Sequence, residues 1–372
     1  MNTTNYNTHY SLFTTPDGRN ESYAFFSPTT STADFRSRID DINRQIEEFM
    51  QTPGQSGASI VLKRYFLSDA TNQMPVIEEA EKGSHTYALS TIQQPPLDGS
   101  KVKVLIYTVE GVEAQNGSFA SNGLVHHYSG SLAGHGEDSE EQTREMLERY
   151  EQSLAARGET IADNCLRTWF FVQNVDVNYS GLVKGRRKNF EQNGLRRDTH
   201  YIASTGIEGR RADASELVQM EAYDVENINP SQLTYLKALT HLNPTIEYGV
   251  TFERATKVEY ADRTHIIVSG TASIDNRGNV LHVGNVAKQS ERLIENISAL
   301  LSEGGASLSD LRMGIVYLRD FSDVATVEPI FRQALPATPL TFVQAPVCRP
   351  TWLVEMECVA ITNQGNKTFG KF

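Results

Sequence analysis

The sequence predicts an α+β chain of three similar units, helices packed on mixed sheets, set around a pseudo-threefold axis. Three observations predict it. Residues 142–176 align without a gap on residues 289–323, with identities at Gln142 and Gln289, Glu148 and Glu295, Leu154 and Leu301, Gly158 and Gly305, Asp163 and Asp310, and Asp176 and Asp323. A strand-like closing segment occurs three times, as Val102-Lys103-Val104-Leu105-Ile106-Tyr107, Val218-Gln219-Met220-Glu221-Ala222-Tyr223 and Val354-Glu355-Met356-Glu357-Cys358-Val359. The helical stripe Ile39, Ile42, Ile46 repeats the spacing of Leu147, Tyr150, Leu154 and of Ile294, Ile297, Leu301, which marks a third, more worn copy.

Taken in order, the first unit spans residues 20–113, where the isoleucine stripe leads into the strand-like run IVLKRYFL at 60–67. The second, 117–228, opens on the strand end Tyr128-Ser129-Gly130-Ser131 and continues as an amphipathic helix, a Gly-containing turn and an apolar strand. The third, 246–364, repeats this after Val268-Ser269-Gly270-Thr271. Polar linkers at 113–123 and 227–244 separate the units. Side chains alternate across a strand. Val354, Met356, Cys358 and Ala360 therefore form one apolar face that should bury the unit's own helices, while Glu355 and Glu357 share the other. Val218, Met220 and Ala222 oppose Gln219 and Glu221 in the same way, and Val102, Val104 and Ile106 oppose Lys103. Each unit is left with a second sheet face that it cannot cover alone, so the three sheets should meet at the centre.

Composition removes several classes of function. A hydrophobic share of 39% and a charged share of 22% over 372 residues describe a globular chain with ample core. No stretch approaches the roughly 18 apolar residues of a membrane span. The N-terminal segment has neither the basic start nor the apolar run of a secretory signal, and the three cysteines (Cys165, Cys348, Cys358) fit a reducing compartment, so a cytoplasmic protein is expected. A net charge of -12 argues against nucleic-acid partners. The nine histidines show no ligand spacing, His126 and His127 pointing to opposite strand faces, and no phosphate loop or dinucleotide fingerprint is present. No metal and no cofactor are expected. A pocket for a small anion remains compatible with the charge.

The third unit, through VSGTAS, GNVAKQSERLIENISALLSEGGASLSDL, VYLRDFSD and LVEMECVAI, resembles the RidA/YjgF (chorismate-mutase-like) family, whose members are trimers with sites at subunit interfaces. Cys348-Arg349-Pro350-Thr351-Trp352-Leu353-Val354-Glu355-Met356-Glu357 is similar to a segment of chorismatases, single-chain proteins of the same fold with pseudo-threefold symmetry. Tyr248-Gly249, Phe252-Glu253-Arg254-Ala255, Leu166-Arg167-Thr168-Trp169 and Ala203-Ser204-Thr205-Gly206-Ile207 resemble further chorismatase stretches. The resemblance covers residues 125–364. It implies cleavage of the enolpyruvyl ether of chorismate or a similar small dianionic carboxylate, with release of pyruvate, by a monomer or dimer. The alternatives are a RidA-like imine or enamine hydrolase and a non-catalytic carboxylate-binding protein. Imine-hydrolysing relatives carry an Arg where this chain reads Pro336-Ala337-Thr338, which disfavours the deaminase.

Glu355 is the sharpest candidate for chemistry, because the equivalent positions hold Lys103, Gln219 and Glu355 and only the last can donate and reclaim a proton. Glu357 lies two residues on, roughly 6.5 to 7 Å away by strand rise, and should raise the Glu355 pKa. The bland alternative is a buried bridge from Glu355 to Lys103 or an Arg. Residues 184–197 hold six basic residues, most of which a solvated helix face explains. For a dianionic substrate, guanidinium forks from Arg187, Arg211 and Arg349 are candidates, with Arg167, flanked by apolar residues on a strand, needing a partner of some kind. Tyr201 and Thr205 could add hydroxyl contacts, and Cys348 is placed at the site with no histidine nearby in sequence to activate it.

Overall fold

The computed structural model describes residues 8–30 and 34–372, apart from the side chains of Thr8, His9 and Tyr248. The first unit consists of β1 (Thr8–Thr14), β2 (Asn20–Phe26), α1 (Phe35–Met50), β3 (Ala58–Leu67), α2 (Ala70–Ala80), β4 (Ala88–Gln93) and β5 (Val102–Glu110). The second has β6 (Ala114–Gln115), β7 (Ser118–Ser121), β8 (Leu124–Ala133), α3 (Ser139–Ala155), the single turn α4 (Ile161–Asn164), β9 (Cys165–Val172), α5 (Val175–Gln192), β10 (Ala203–Glu208) and β11 (Val218–Glu226). The third has β12 (Leu233–Leu236), β13 (Ala255–Glu259), β14 (Thr264–Ala272), α6 (Val286–Glu303), β15 (Leu311–Leu318), α7 (Val324–Ala334), β16 (Leu340–Gln344) and β17 (Val354–Thr362).

The sheet orders are β1-β2-β5-β3-β4, β7-β8-β11-β9-β10 with β6 outside β7, and β13-β14-β17-β15-β16 with β12 outside β13. One topology is thus written three times. In each, the closing strand (β5, β11, β17) lies at the centre between two antiparallel neighbours, and the two strands flanking α2, α5 or α7 pair in parallel. Registers make Lys103, Gln219 and Glu355 equivalent, for they face Phe66, Phe171 and Tyr317 on β3, β9 and β15. The first sheet takes in β1, upstream of residue 20, which a polar Thr- and Asn-rich start hides from a periodicity reading.

The first helix of every unit starts at an Asp or Asn whose side chain accepts a backbone N–H: Asp34 from Ser37 at 3.0 Å, Asp138 from Glu141 at 2.9 Å and Asn285 from Lys288 at 3.0 Å. Such caps are worth about 1 kcal/mol each and fix where the helices begin. The apolar faces of the closing strands meet these helices as the alternation requires. Val102, Val104 and Ile106 pack with Ile39, Ile42 and Ile46, and Val218, Met220 and Ala222 with Met146, Leu147, Tyr150 and Leu154.

The opposite faces turn inward and are closed by a ring of buried ion pairs. Arg64 of the first unit pairs with Glu221 of the second, Arg167 of the second with Glu357 of the third at 2.8 Å, and Arg263 of the third with Glu21 of the first. Each unit supplies one guanidinium and one carboxylate, and all six side chains are buried. Isolated bridges between sheets complete the closure, Gln93 with Arg210, Ala203 with Glu253 and Pro96 with Val343. Among the described residues no helix is long and apolar enough to cross a membrane.

Candidate active site

Glu355 sits on β17 opposite Ala272 of β14 and Tyr317 of β15. The β14–β17 register slips between Val268 and Thr271, a β-bulge at Ser269-Gly270. The bulge brings the Gly270 backbone so close to the carboxyl that a Cβ there would overlap Glu355 Oε1 and come within 3.2 Å of Thr205 Cγ2. Only glycine leaves the carboxyl in this place. Gly270→Ala should keep the fold but push the carboxyl aside, lowering kcat by about 10²-fold, since a misplacement of about 1 Å is enough for that. Turnover and thermal unfolding measured on one preparation would check it.

The carboxyl looks into a small cavity between the second and third units. Its wall is made by Arg186 and Tyr179 of α5, Ser204 and Gly206 of β10, Phe252 and Arg254 before β13, and Cys348, Arg349 and Trp352 before β17. Three guanidinium groups thus line the cavity that holds this carboxyl, and of them Arg254 pulls on its charge. Arg186 donates to Thr251 Oγ1 at 3.2 Å and to Ser204 Oγ at 3.4 Å, and Arg254 donates to the Asn243 carbonyl at 3.0 Å. Arg349 lies over the Trp352 ring at 5.2 Å, and the Trp352 indole N–H donates to the Ser273 carbonyl at 3.1 Å. Burial, reinforced by the Glu357 charge, pushes the Glu355 pKa up to about 8 against the opposing pull of Arg167 and Arg254. It is accordingly a protonated acid at neutral pH.

Lys103 makes its ion pair with Asp98 at 3.0 Å, at the junction of the first and third units and not in this cavity. The cavity is small, about 30 Å³. Next to it, sharing Phe252 and Arg254, lies a cavity of about 170 Å³ that is lined by Arg196, Arg197 and Lys237.

The structure brings together Glu355, Cys348 and Arg349 of the residues singled out from the sequence. Thr205 is one layer below: its hydroxyl donates to Glu357 at 2.5 Å and accepts the Gly270 N–H at 3.0 Å. Arg167 belongs to the same layer, bonded to Glu357 and Thr205. With Trp169 Nε1 also donating to Glu357 at 2.8 Å, these groups hold the second carboxylate and act on Glu355 through it. Cys348 is a wall residue. Burial and the neighbouring Glu355 push its thiol up to about 12, which keeps it protonated and unsuited to nucleophilic attack.

Tyr201 lines the adjoining basic cavity. Arg187 donates to the Gly249 carbonyl, and Arg211 is 2.9 Å from Glu216 beside α3, so neither faces the Glu355 cavity. Sequence reasoning missed Arg186 and Arg254. The stripe Leu182, Arg186, Phe190 was the available signal, because four-residue spacing puts Arg186 on the buried face of α5 and its neighbour Arg187 off it.

The family model described as Endoribonuclease L-PSP matches residues 253–362, the third unit. The 3-aminoacrylate deaminase RutC of Acinetobacter baylyi is 32% identical over 97 residues, 26% of this chain and 77% of the relative. The chain belongs to the RidA/YjgF superfamily. A RutC family protein of Pyrococcus abyssi, another RidA/YjgF relative, is 35% identical over 97 residues, 26% of this chain and 76% of that protein. Over the whole molecule, the crystal structure of a chorismatase superposes with a TM-score of 0.63 at 14% identity, covering 95% of this chain and 98% of that one. This RidA/YjgF chain therefore has the three-unit chorismatase fold.

Proposed function

We propose that the protein hydrolyses the enolpyruvyl ether of chorismate, or of a similar small dianionic carboxylate, and releases pyruvate. One observation carries the reading: a carboxyl with its pKa near 8 shares a cavity with three guanidinium groups. Arg186, Arg254 and Arg349 line it, and guanidinium is the side-chain group best suited to carboxylates. The basic cavity that adjoins the site supplies an attractive approach in an otherwise acidic molecule. Glu355 delivers its proton to the terminal methylene, which becomes the methyl group of pyruvate. Water then adds to the resulting oxocarbenium carbon and returns a proton to the Glu355 carboxylate. The hemiketal collapses, its hydroxyl proton passing to the ring oxygen as the C–O bond breaks, so the net change is addition of one water.

The RutC relative, by its name, acts on 3-aminoacrylate, an enamine. Protonation of an electron-rich alkene carbon is common to enol ethers and enamines, and the same acid serves both. The three guanidinium groups of the lining favour the dianion, and Thr338, buried near the end of α7, leaves the deaminase without its expected Arg. Incubating the purified chain with chorismate and measuring pyruvate tests the proposal. Ammonia from 3-aminoacrylate with no pyruvate from chorismate would select the enamine instead, and binding of both without turnover would leave a carboxylate-binding protein.

The pH dependence has a definite sign. The acid must be protonated, so kcat should hold below about pH 8 and fall about tenfold per pH unit above it. Stability follows the same group. A folded-state pKa above the unfolded carboxyl value favours folding fully at pH below the unfolded value, and this contribution is lost as pH rises toward about 8. Thermal melts of wild type and Glu355→Gln from pH 5 to 9 check it: the wild type should lose more over this range than the variant.

A further inference from the structure

Each closing strand faces an aromatic ring. Lys103 stands opposite Phe66, Gln219 opposite Phe171 and Glu355 opposite Tyr317, and all three rings are fully buried. The third unit alone adds a hydroxyl, across from the one position of the three that carries an acid. Residues paired across antiparallel strands point to the same face with Cβ atoms about 5 Å apart, so the phenol and the Glu355 side chain rise together from the inner face of the sheet.

Among the described residues none accepts from or donates to the Tyr317 hydroxyl. Phenylalanine fills the same place in the other two units, so packing does not call for the oxygen, and a buried hydroxyl without a partner costs stability. The charged groups that act on it are Glu357, Arg64, Arg167 and Glu355. Arg64 is paired with Glu221, and Glu357 already accepts from Arg167 at 2.8 Å, from Thr205 at 2.5 Å and from Trp169 at 2.8 Å. Glu355 is the member of the set whose charge changes in turnover.

We propose that Tyr317 is a positioning residue for the general acid: once Glu355 has delivered its proton, the Tyr317 hydroxyl donates to the carboxylate left behind. The inference rests on the reading of Glu355 as the acid. While Glu355 is neutral the phenol has no charge to answer. The carboxylate then forms where Arg167 is already held by Glu357, and an O–H donor standing beside it stabilises it with little reorganisation. Burial and the Glu357 charge hold the Tyr317 pKa well above its ordinary value, so the phenol lends a hydrogen bond and keeps its proton. Of the other groups that act on Glu355, Glu357 shares its strand, Arg167 comes from β9 and Arg254 from the segment before β13. Tyr179, Arg186, Cys348 and Arg349 complete the polar wall of its cavity. Tyr317 is what β15 contributes.

Tyr317→Phe tests the proposal with a side chain that two units already hold at this place. Losing a donor to the charged form raises the Glu355 pKa. The alkaline limb of pyruvate release from chorismate should therefore move up by about one pH unit, and kcat should fall by about tenfold with KM little changed, the size of one charge-assisted hydrogen bond. The melting temperature should hold or rise, since a buried hydroxyl without a partner is gone. Carboxyl-carbon NMR, with the Glu355 signal assigned by its loss in Glu355→Gln, reads the same pKa with no substrate present. An unmoved Glu355 titration, or a lower melting temperature with an unmoved alkaline limb, would overturn the proposal. A wild type that leaves chorismate intact while Tyr317→Phe still shifts the titration would overturn the substrate reading instead and support this one.

Discussion

Replacing Glu355 by Gln should lower turnover by about 10²- to 10⁴-fold while leaving ligand-induced thermal stabilisation in place, the loss expected when a general acid is removed from an intact cavity. Gln keeps the shape and accepts hydrogen bonds but has no proton to give at carbon. Its position against Gly270 is sterically defined, and Gln fits where Glu fits. The alkaline fall of kcat near pH 8 should disappear with the acid. Residual activity with an unshifted alkaline limb would assign the proton to another group. Steady-state kinetics across pH on the two proteins decides between these outcomes.

The largest effect on stability is expected from Arg167→Met. Arg167 is buried and its partner Glu357 is buried with it, so removing the guanidinium strands a carboxylate in the junction between the second and third units. Breaking one side of such a pair costs about 3–5 kcal/mol, far more than a surface pair contributes. The double variant Arg167→Met/Glu357→Gln should recover a large part of the loss, because the stranded charge is gone, and denaturant unfolding of the two single variants and the double would measure the coupling. Arg167 also opposes the rise of the Glu355 pKa, so the alkaline limb of activity should move to higher pH in Arg167→Met. A clamp that touched substrate would instead raise KM with little change in that limb.

The fold was legible because its signal is repeated. Alternation in 102–107, 218–223 and 354–359 fixed which face of each closing strand meets helices and which meets the other units. Glu355 was legible for the same reason: three equivalent positions with three different side chains single out the one that can titrate. The ring of ion pairs was half visible. Arg167 demanded a partner from its apolar surroundings, but nothing local to a strand says that this partner is Glu357, 190 residues away, and not a ligand. Arg187 comes from a basic run in which nothing local distinguishes it from Arg186, and the period of α5 separates the two onto different faces. Arg254 lay in a recognised motif yet acquires its place only when its neighbour Glu253, before β13, bridges to Ala203 of β10.

The central claim is that Glu355 protonates an alkene carbon of a dianionic enol ether, and it is tested most directly by proton NMR of chorismate incubated with the full chain in deuterium oxide. Wild-type protein should convert the vinylidene signals into pyruvate whose methyl group carries solvent deuterium, at a rate that Glu355→Gln lowers by about 10²-fold or more. Chorismate that stays intact with the wild type, or pyruvate formed at equal rates by both proteins, would contradict it.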